Sequence, residues 1–351
     1  MTVQPGAQGS RPCRVLAVIP CLNEELHIGA VVANLRREAD RIDMKIVVAD
    51  GGSVDRTREI VRRFAESDER ITLLDNPQKI QSAALNLAVR TYGDGAAHLI
   101  RIDAHAGYPE DYCERLLATQ AETGADSVVV SMRTVGRSCF ERAAAAAQNS
   151  LLGNGGSSHR NATAGRWVDH GHHALMTLSA FRAVGGYDES FSHNEDVELD
   201  LRLKENGFRI YLARDMSIDY YPRRNPIALF RQYFRIGRGR ARNVLKHRRH
   251  TKIRHLVLAT IAPILCLILA APASPIFAAP ALLWALLCLL YGLYLGLRSR
   301  DSCAAAAGLA AIATQAGWSF GFYLGLATGL VEALGAARPR RPTPRGDWIA
   351  P

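Results

Sequence analysis

No Asp, Glu, Lys or Arg occurs between Arg254 and Arg298. A bilayer core asks for roughly 20 apolar residues per helix. The uncharged run has room for two such helices, about 255–272 and 276–297, broken by the proline-rich AAPASPIFAAP. Just upstream, residues 223–254 hold many Arg and Lys and no Asp or Glu, so the net charge of +10 is concentrated there. A basic tract abutting an apolar run suits the cytoplasmic side of a membrane and its anionic headgroups. Base-reading motifs are missing, which argues against nucleic acid as a partner. A third uncharged run, 302–331, is Ala- and Gly-rich, holds Trp318, Phe320, Phe322 and Tyr323, and reads as a third span. Two spans return the chain to the cytoplasm at Arg298 and Arg300, as the positive-inside rule requires. A third would put Arg338, Arg340, Arg341 and Arg345 outside, so the last run is re-entrant or interfacial, or it breaks the rule.

Other absences narrow the chemistry. The seven cysteines show no CxxC spacing, so neither a disulfide nor zinc is expected. The first apolar stretch, VLAVIP, is too short for a signal peptide, which places residues 1–250 in the cytoplasm. GxGxxG and GxxxxGK[ST] are lacking, which argues against a dinucleotide dehydrogenase or a P-loop NTPase.

What is present is alternation. Short apolar runs at 14–20, 44–49, 71–74, 98–102 and 127–132 read as strands. Helical patterns at 25–39, 55–65, 81–90 and 109–123 lie between them, the last with Pro109 in its first turn. This order implies an α/β fold, a doubly wound, mostly parallel sheet with helices on both faces. Ligands of such sheets sit beyond the carboxyl ends of the strands. There the chain carries PCLNEE (20–25), DGGSVD (50–55) and DAH (103–105). Ser53 or Asp55 could cap the second helix. Asp50 and Asp103 directly end strands, and two acids at one sheet edge repel unless a cation or ligand donors sit between them. A divalent-metal or hydroxyl-binding site follows.

FSHNEDVELDLRL (191–203) packs Glu195, Asp196, Glu198 and Asp200 into six positions. Acids in a first helical turn offset the macrodipole without doing chemistry. Glu198 and Asp200 keep that reading, as solvated or salt-bridged helix residues. His170, His172 and His173 form an HxHH pattern on an expected strand, with His170 and His172 on one face. NSLLGNGGSSHRNATAG (149–165) is either a lid over a ligand site or a disordered connector.

Together VIPCLNEE, VVADGGSVDRT, IRIDAHAGYPEDY, VGGYDESFSHNEDVELDLRL and QYFRIGRGRAR resemble family 2 glycosyltransferases of the GT-A fold, in order over about residues 14–242. The chain is most similar to bacterial membrane enzymes of succinoglycan and related exopolysaccharide assembly, whose DxD position reads Asp-Ala-His. The resemblance implies that Pro20, Glu24 and Asp50, with Ser53, hold the base and ribose of a UDP-sugar. Asp103 is then the first acid of the DxD motif, and with His105 in the place of the second it would hold Mn²⁺ or Mg²⁺. HNED matches the motif that carries the general base, so Asp196 is the base and Glu195 orients it or caps the helix. Gln232 and Arg235 match QxxRW, with Ile236 in place of the Trp that processive enzymes use, which implies a single transfer.

The implied organisation is a flexible 1–13, a catalytic domain over 14–225, a basic amphipathic interface helix over 226–254, a membrane region of two to three helices over 255–334 and a basic tail over 335–351. The implied reaction is inverting hexosyl transfer at a bacterial inner membrane, to a polyprenyl-diphosphate-linked saccharide. Direct glycosylation of a polyprenyl monophosphate is the alternative.

Overall fold

The computed structural model describes residues 14–155, 164–191, 193–248 and 252–335. The expected flexible N-terminus, the centre of the glycine-rich stretch at 149–165 and the basic tail lie outside the described residues. In chain order the elements begin β1 (Val15–Cys21), α1 (Ile28–Glu38), β2 (Met44–Asp50), α2 (Thr57–Ser67), β3 (Ile71–Asp75), α3 (Gln81–Tyr92), β4 (His98–Arg101) and α4 (Tyr112–Thr123). They continue with β5 (Ser127–Thr134), α5 (Cys139–Gln148), α6 (Leu151–Asn154), β6 (Arg166–Val168), β7 (His172–Thr177), α7 (Leu178–Ala183), α8 (Glu195–Glu205) and β8 (Ile210–Tyr220). The C-terminal part is helical: α9 (Pro226–His247), α10 (Ile253–Ala259), α11 (Ile261–Cys266), α12 (Ala279–Ser299) and α13 (Ala307–Gly335). Two compact units result, Met1–Val128 with His173–Tyr187, and Val129–His172 with Asp188–Pro351.

In the first unit the strand order is β3-β2-β1-β4-β7. The first four are parallel, and β7 runs antiparallel to β4. Leu16, Ala17, Val18, Ile46, Val47 and Val48 are fully buried, as strands covered on both faces require. The register sets Cys21 beside Asp50 and Asp50 beside Asp75, so the three strand ends lie level. The helix α1 buries Ile28, Val31, Val32 and Leu35. Pro109 lies ahead of α4 rather than in its first turn, with its carbonyl accepting from Asn34 Nδ2 at 3.2 Å.

The second unit carries β5, β8 and β6 in that order, with β6 antiparallel to β8. Its helices pack through small residues. A Cβ placed on Gly321 would lie 2.0 Å from Phe234 O, one on Gly317 2.5 Å from Phe230 O, and one on Gly237 2.0 Å from Trp318 O. Gly317, Gly321, Gly325 and Gly329 recur every four residues, so one bare face of α13 lies along α9.

Ile253–Ala270 and Pro275–Ser299 are the two described stretches long and apolar enough to cross a membrane, by length and composition. Leu282, Leu283, Leu286, Leu287 and Leu297 on α12 are more than half exposed. The third uncharged run forms α13, with Trp318, Ser319 and Phe322 buried.

One expectation from spacing is wrong. Cys139 and Cys303 form a disulfide across 164 residues, Cα atoms 5.0 Å apart. It joins the start of α5 to the turn after α12, beside the Arg142–Asp301 ion pair at 2.6 Å. Only the folded chain brings these cysteines together, and local spacing carries no trace of it.

Candidate active site

The ends of β1 and β4 and the start of α3 surround a cavity of about 250 Å³ in the first unit. Pro20, Glu24, Asp103 and His105 line it, with Lys79 and Gln81. His105 Nδ1 lies 2.9 Å from Glu24 Oε1. The loops are held in uncommon backbone geometry: Asn23 and Lys79 have φ of 56° and 60°. Asn23 is tied twice, its amide donating to Ser53 Oγ at 2.8 Å and its side chain accepting from Val54 N at 2.9 Å. Gly52, at φ 86°, sits where a side chain would be strained.

The repulsion argument for a shared cation meets a different answer. Asp50 is buried, and its Oδ2 accepts from Arg58 Nη1 at 2.6 Å and Gly52 N at 3.0 Å, while Ser53 donates both its amide and its hydroxyl. Burial works to raise the Asp50 carboxyl, but the hydrogen bonds from Ser53 and Arg58 outweigh it and hold it below the ordinary carboxylate range. Asp103 has its own guanidinium, Arg101 Nε at 3.2 Å. Each acid is therefore compensated by protein. Asp50 and Ser53 shape the loop behind the cavity, whereas Asp103 lines it.

In the second unit, Glu195 and Asp196 open α8 in its first turn. The segment before them is clamped onto α9: Asn194 Nδ2 donates to Ile236 O at 2.6 Å, and Asn243 Nδ2 donates to Asn194 O at 3.1 Å. Gly239 makes this approach possible, since a Cβ there would lie 2.4 Å from His193 O. Alongside is a cavity of about 430 Å³ lined by His193, Arg235, Arg238 and Arg242. The spacing of three and seven residues puts these arginines on one face of α9. Burial, then Arg235 and Arg223, pushes the His193 imidazole below its ordinary value. Gln232 lies elsewhere on α9, donating to Tyr220 Oη at 2.6 Å.

Glu198 and Asp200 are buried rather than solvated. Glu198 accepts from Arg202 Nε at 2.9 Å and pairs with Lys246, and Asp200 Oδ2 lies 2.7 Å from His170 Nδ1. The HxHH expectation thus fails in part: His170 precedes β7 and serves Asp200. Lys246 also pairs with Asp188 at 2.7 Å. Burial acts to raise the Asp188 carboxyl, but Lys246 and Ser190 hold it down at about 2. Its stabilisation is therefore present above the ordinary value of about 4 and lost as pH falls toward about 2. Lys246→Met should cost about 2 kcal/mol at pH 7, less than a fully buried pair because Lys246 is partly exposed. Denaturation of the purified protein should show that deficit shrinking between about pH 4 and pH 2. A deficit that is constant with pH contradicts the ion-pair account.

The family described as Glycosyl transferase family 2 matches residues 16–185. The succinoglycan biosynthesis protein ExoA of Rhizobium meliloti (strain 1021) is 52% identical over 308 residues, 88% of this chain and 93% of that protein. The chain belongs to glycosyl transferase family 2. This glycosyltransferase is also similar to a Methanococcus voltae dolichyl N-acetyl-alpha-D-glucosaminyl phosphate 3-beta-D-2,3-diacetamido-2,3-dideoxy-beta-D-glucuronosyltransferase, 23% identical over 65% of this chain and 73% of that protein. Among solved structures, the mannosyltransferase PcManGT of Pyrobaculum calidifontis, in complex with GDP-Man and Mn²⁺, superposes with a TM-score of 0.53 at 21% identity, over 87% of this chain and 88% of that one. At that identity the likeness concerns the fold, which is GT-A-like.

Within the glycosyltransferase, sequence reasoning missed the guanidinia of Arg58 and Arg101, which neutralise the strand-end acids, and Gly239, which seats the segment before Asp196. Arg101 was visible two residues before Asp103. Arg58 and Gly239 act across the fold and leave no local pattern.

Proposed function

We propose that this glycosyltransferase moves a hexose, glucose, from a UDP-sugar to a lipid-linked saccharide with inversion, in assembly of a succinoglycan-like exopolysaccharide. The observation that carries the reading is the strand-end cavity holding Pro20, Glu24, Asp103 and His105, in a chain 52% identical to ExoA. Pro20 and Glu24, with the loop held by Asp50 and Ser53, take the base and ribose. Arg235 attends the diphosphate, for which a guanidinium is suited. Asp196 accepts the proton of the attacking hydroxyl as its oxygen bonds the anomeric carbon and the bond to the diphosphate breaks. Attack opposite the leaving group inverts that carbon. Glu195 orients Asp196. The two apolar stretches anchor the enzyme at the cytoplasmic face of the inner membrane, and the exposed leucines of α12 support that placement.

A divalent ion fits this donor set in a limited way. One carboxylate and one imidazole, Asp103 and His105, line a single cavity, and no group of three or more His, Cys, Asp or Glu able to hold a metal occurs among the described residues. Such a pair suits an ion whose remaining ligands are substrate phosphate and water. Held by Asp103 and His105, Mn²⁺ or Mg²⁺ would supply Lewis-acid offset of the diphosphate's charge. Imidazole favours Mn²⁺ over the oxygen-seeking Mg²⁺. His105→Asp should therefore lower the Mn²⁺-to-Mg²⁺ ratio of kcat/KM by about tenfold. An unchanged ratio removes His105 from the ion's ligands.

Membranes containing the protein, supplied with each UDP-hexose in turn and a lipid-linked saccharide extract, test the reaction. Sugar transfer dependent on UDP-glucose supports it. Transfer to polyprenyl phosphate alone favours the monophosphate alternative, and no transfer from any UDP-sugar overturns the donor assignment.

A further inference from the structure

The basic helix α9 serves two cavities. Arg235, Arg238 and Arg242 face the one that His193 also lines. Arg240 faces another, of about 210 Å³, enclosed by α8, α9 and the head of α10. Lys204, Lys252 and Arg254 share its wall with Arg240, against one carboxylate, Asp169. Asp169 answers the two lysines: it pairs with Lys204 and lies 3.5 Å from Lys252. Neither arginine has an ion-pair partner among the described residues, and Arg240 Nε is buried without a hydrogen-bond partner. Two unmatched guanidinia in one small cavity oppose each other. Burial, and then the charge of Arg254, push the Arg240 guanidinium down to about 10. A buried donor left unmade is costly, more so when it is charged, so a chain holding one there is built for an anion.

The neighbourhood says which kind of anion. The cavity also has an apolar side, Val197, Leu201 and Val244. From its rim α10 leads directly into the first apolar stretch, with Ile253, Leu256 and Val257 more than half exposed. An anionic head next to an exposed apolar track matches an amphiphile whose phosphate sits at the membrane surface and whose tail follows the helix. We propose that the cavity between α8, α9 and α10 binds the phosphate-bearing headgroup of a lipid, with Arg240 and Arg254 as its paired guanidinium clamp. Because Val197 of the same cavity directly follows Asp196, a head bound here holds its cargo near the residue assigned as base. This inference rests on the membrane-anchored reading above and deepens it by giving the lipid a site of its own.

The test reads binding with no sugar donor present, so it stands apart from the success or failure of the transfer assay. The full chain, purified in a neutral detergent, is titrated with farnesyl diphosphate, inorganic pyrophosphate and UDP. It is also assayed for capture by neutral vesicles with and without phosphatidylglycerol. Farnesyl diphosphate should bind the wild type and weaken at least tenfold in both Arg240→Gln and Arg254→Gln, with UDP affinity unchanged as the sign that the fold is intact. If instead both variants lose only the preference for phosphatidylglycerol vesicles, the lipid is a bulk phospholipid, and the site still stands. Inorganic pyrophosphate binding as tightly as farnesyl diphosphate overturns the lipid assignment. Equal binding of every lipid probe by the wild type and both variants overturns the site. Arg254 is the more open of the two positions, so it keeps the test decisive should Arg240→Gln fail to fold.

Discussion

Asp196→Asn should abolish sugar transfer, lowering kcat by about 10³-fold, while UDP binding stays within twofold of the wild type. The amide keeps the size and polarity of the carboxylate but cannot take a proton at neutral pH. The residues proposed to hold the nucleotide, Pro20 and Glu24 at the strand-end cavity and Arg235, are left in place by the exchange. Single-turnover transfer and UDP calorimetry on the same preparation separate the two quantities. Near-normal turnover would move the base elsewhere, and Glu195 in the same helical turn is the next position to exchange. Equal loss of transfer and of UDP binding would mean that the substitution disturbs the fold rather than the proton transfer.

Gly239→Val should produce the second large defect, from a residue that touches no reacting atom. A Cβ at 239 would lie 2.4 Å from His193 O and 2.9 Å from Asn194 Nδ2. Backbone cannot occupy that space, so the segment leading into α8 must move away from α9. The hydrogen bonds from Asn194 to Ile236 O and from Asn243 to Asn194 O are lost with it. Misplacing a catalytic group by about 1 Å costs on the order of 10²-fold, and the expected fall in kcat is of that size. UDP binding should again be unchanged. A variant with wild-type kcat would show that α9 does not set the position of Asp196.

The strand ends were legible because a buried parallel strand is a nearly unbroken apolar run, and the polar residue that stops it marks the ligand-binding edge. Pro20, Glu24 and Asp103 were found that way, and the structure gathers them with His105 in one cavity. Asp50 shows the limit of the method. Its position was read correctly, but its partner Arg58 lies on the next helix, and only folding reveals that the carboxylate is already engaged. For Glu198 and Asp200, read as solvated or salt-bridged, the structure shows the salt-bridged alternative, with partners the sequence did not name. Interleaved charges on a short helix look like a solvated face, yet their partners Lys246 and His170 come from distant segments that bury them. The Cys139–Cys303 pair has the same character. The glycines of α13 were visible as composition, but their role depends on α9 lying against them, which no single helix announces.

One-step displacement of the diphosphate by the acceptor hydroxyl, with Asp196 taking its proton, would fix the stereochemistry of the product. Proton NMR of the first product formed from UDP-α-glucose reads the anomeric configuration directly, before any exchange can blur it. A β-linked product, with the large coupling of a trans-diaxial H1–H2 pair, is expected. An α-linked product would require two displacements or a front-face mechanism and would contradict Asp196 as the sole base.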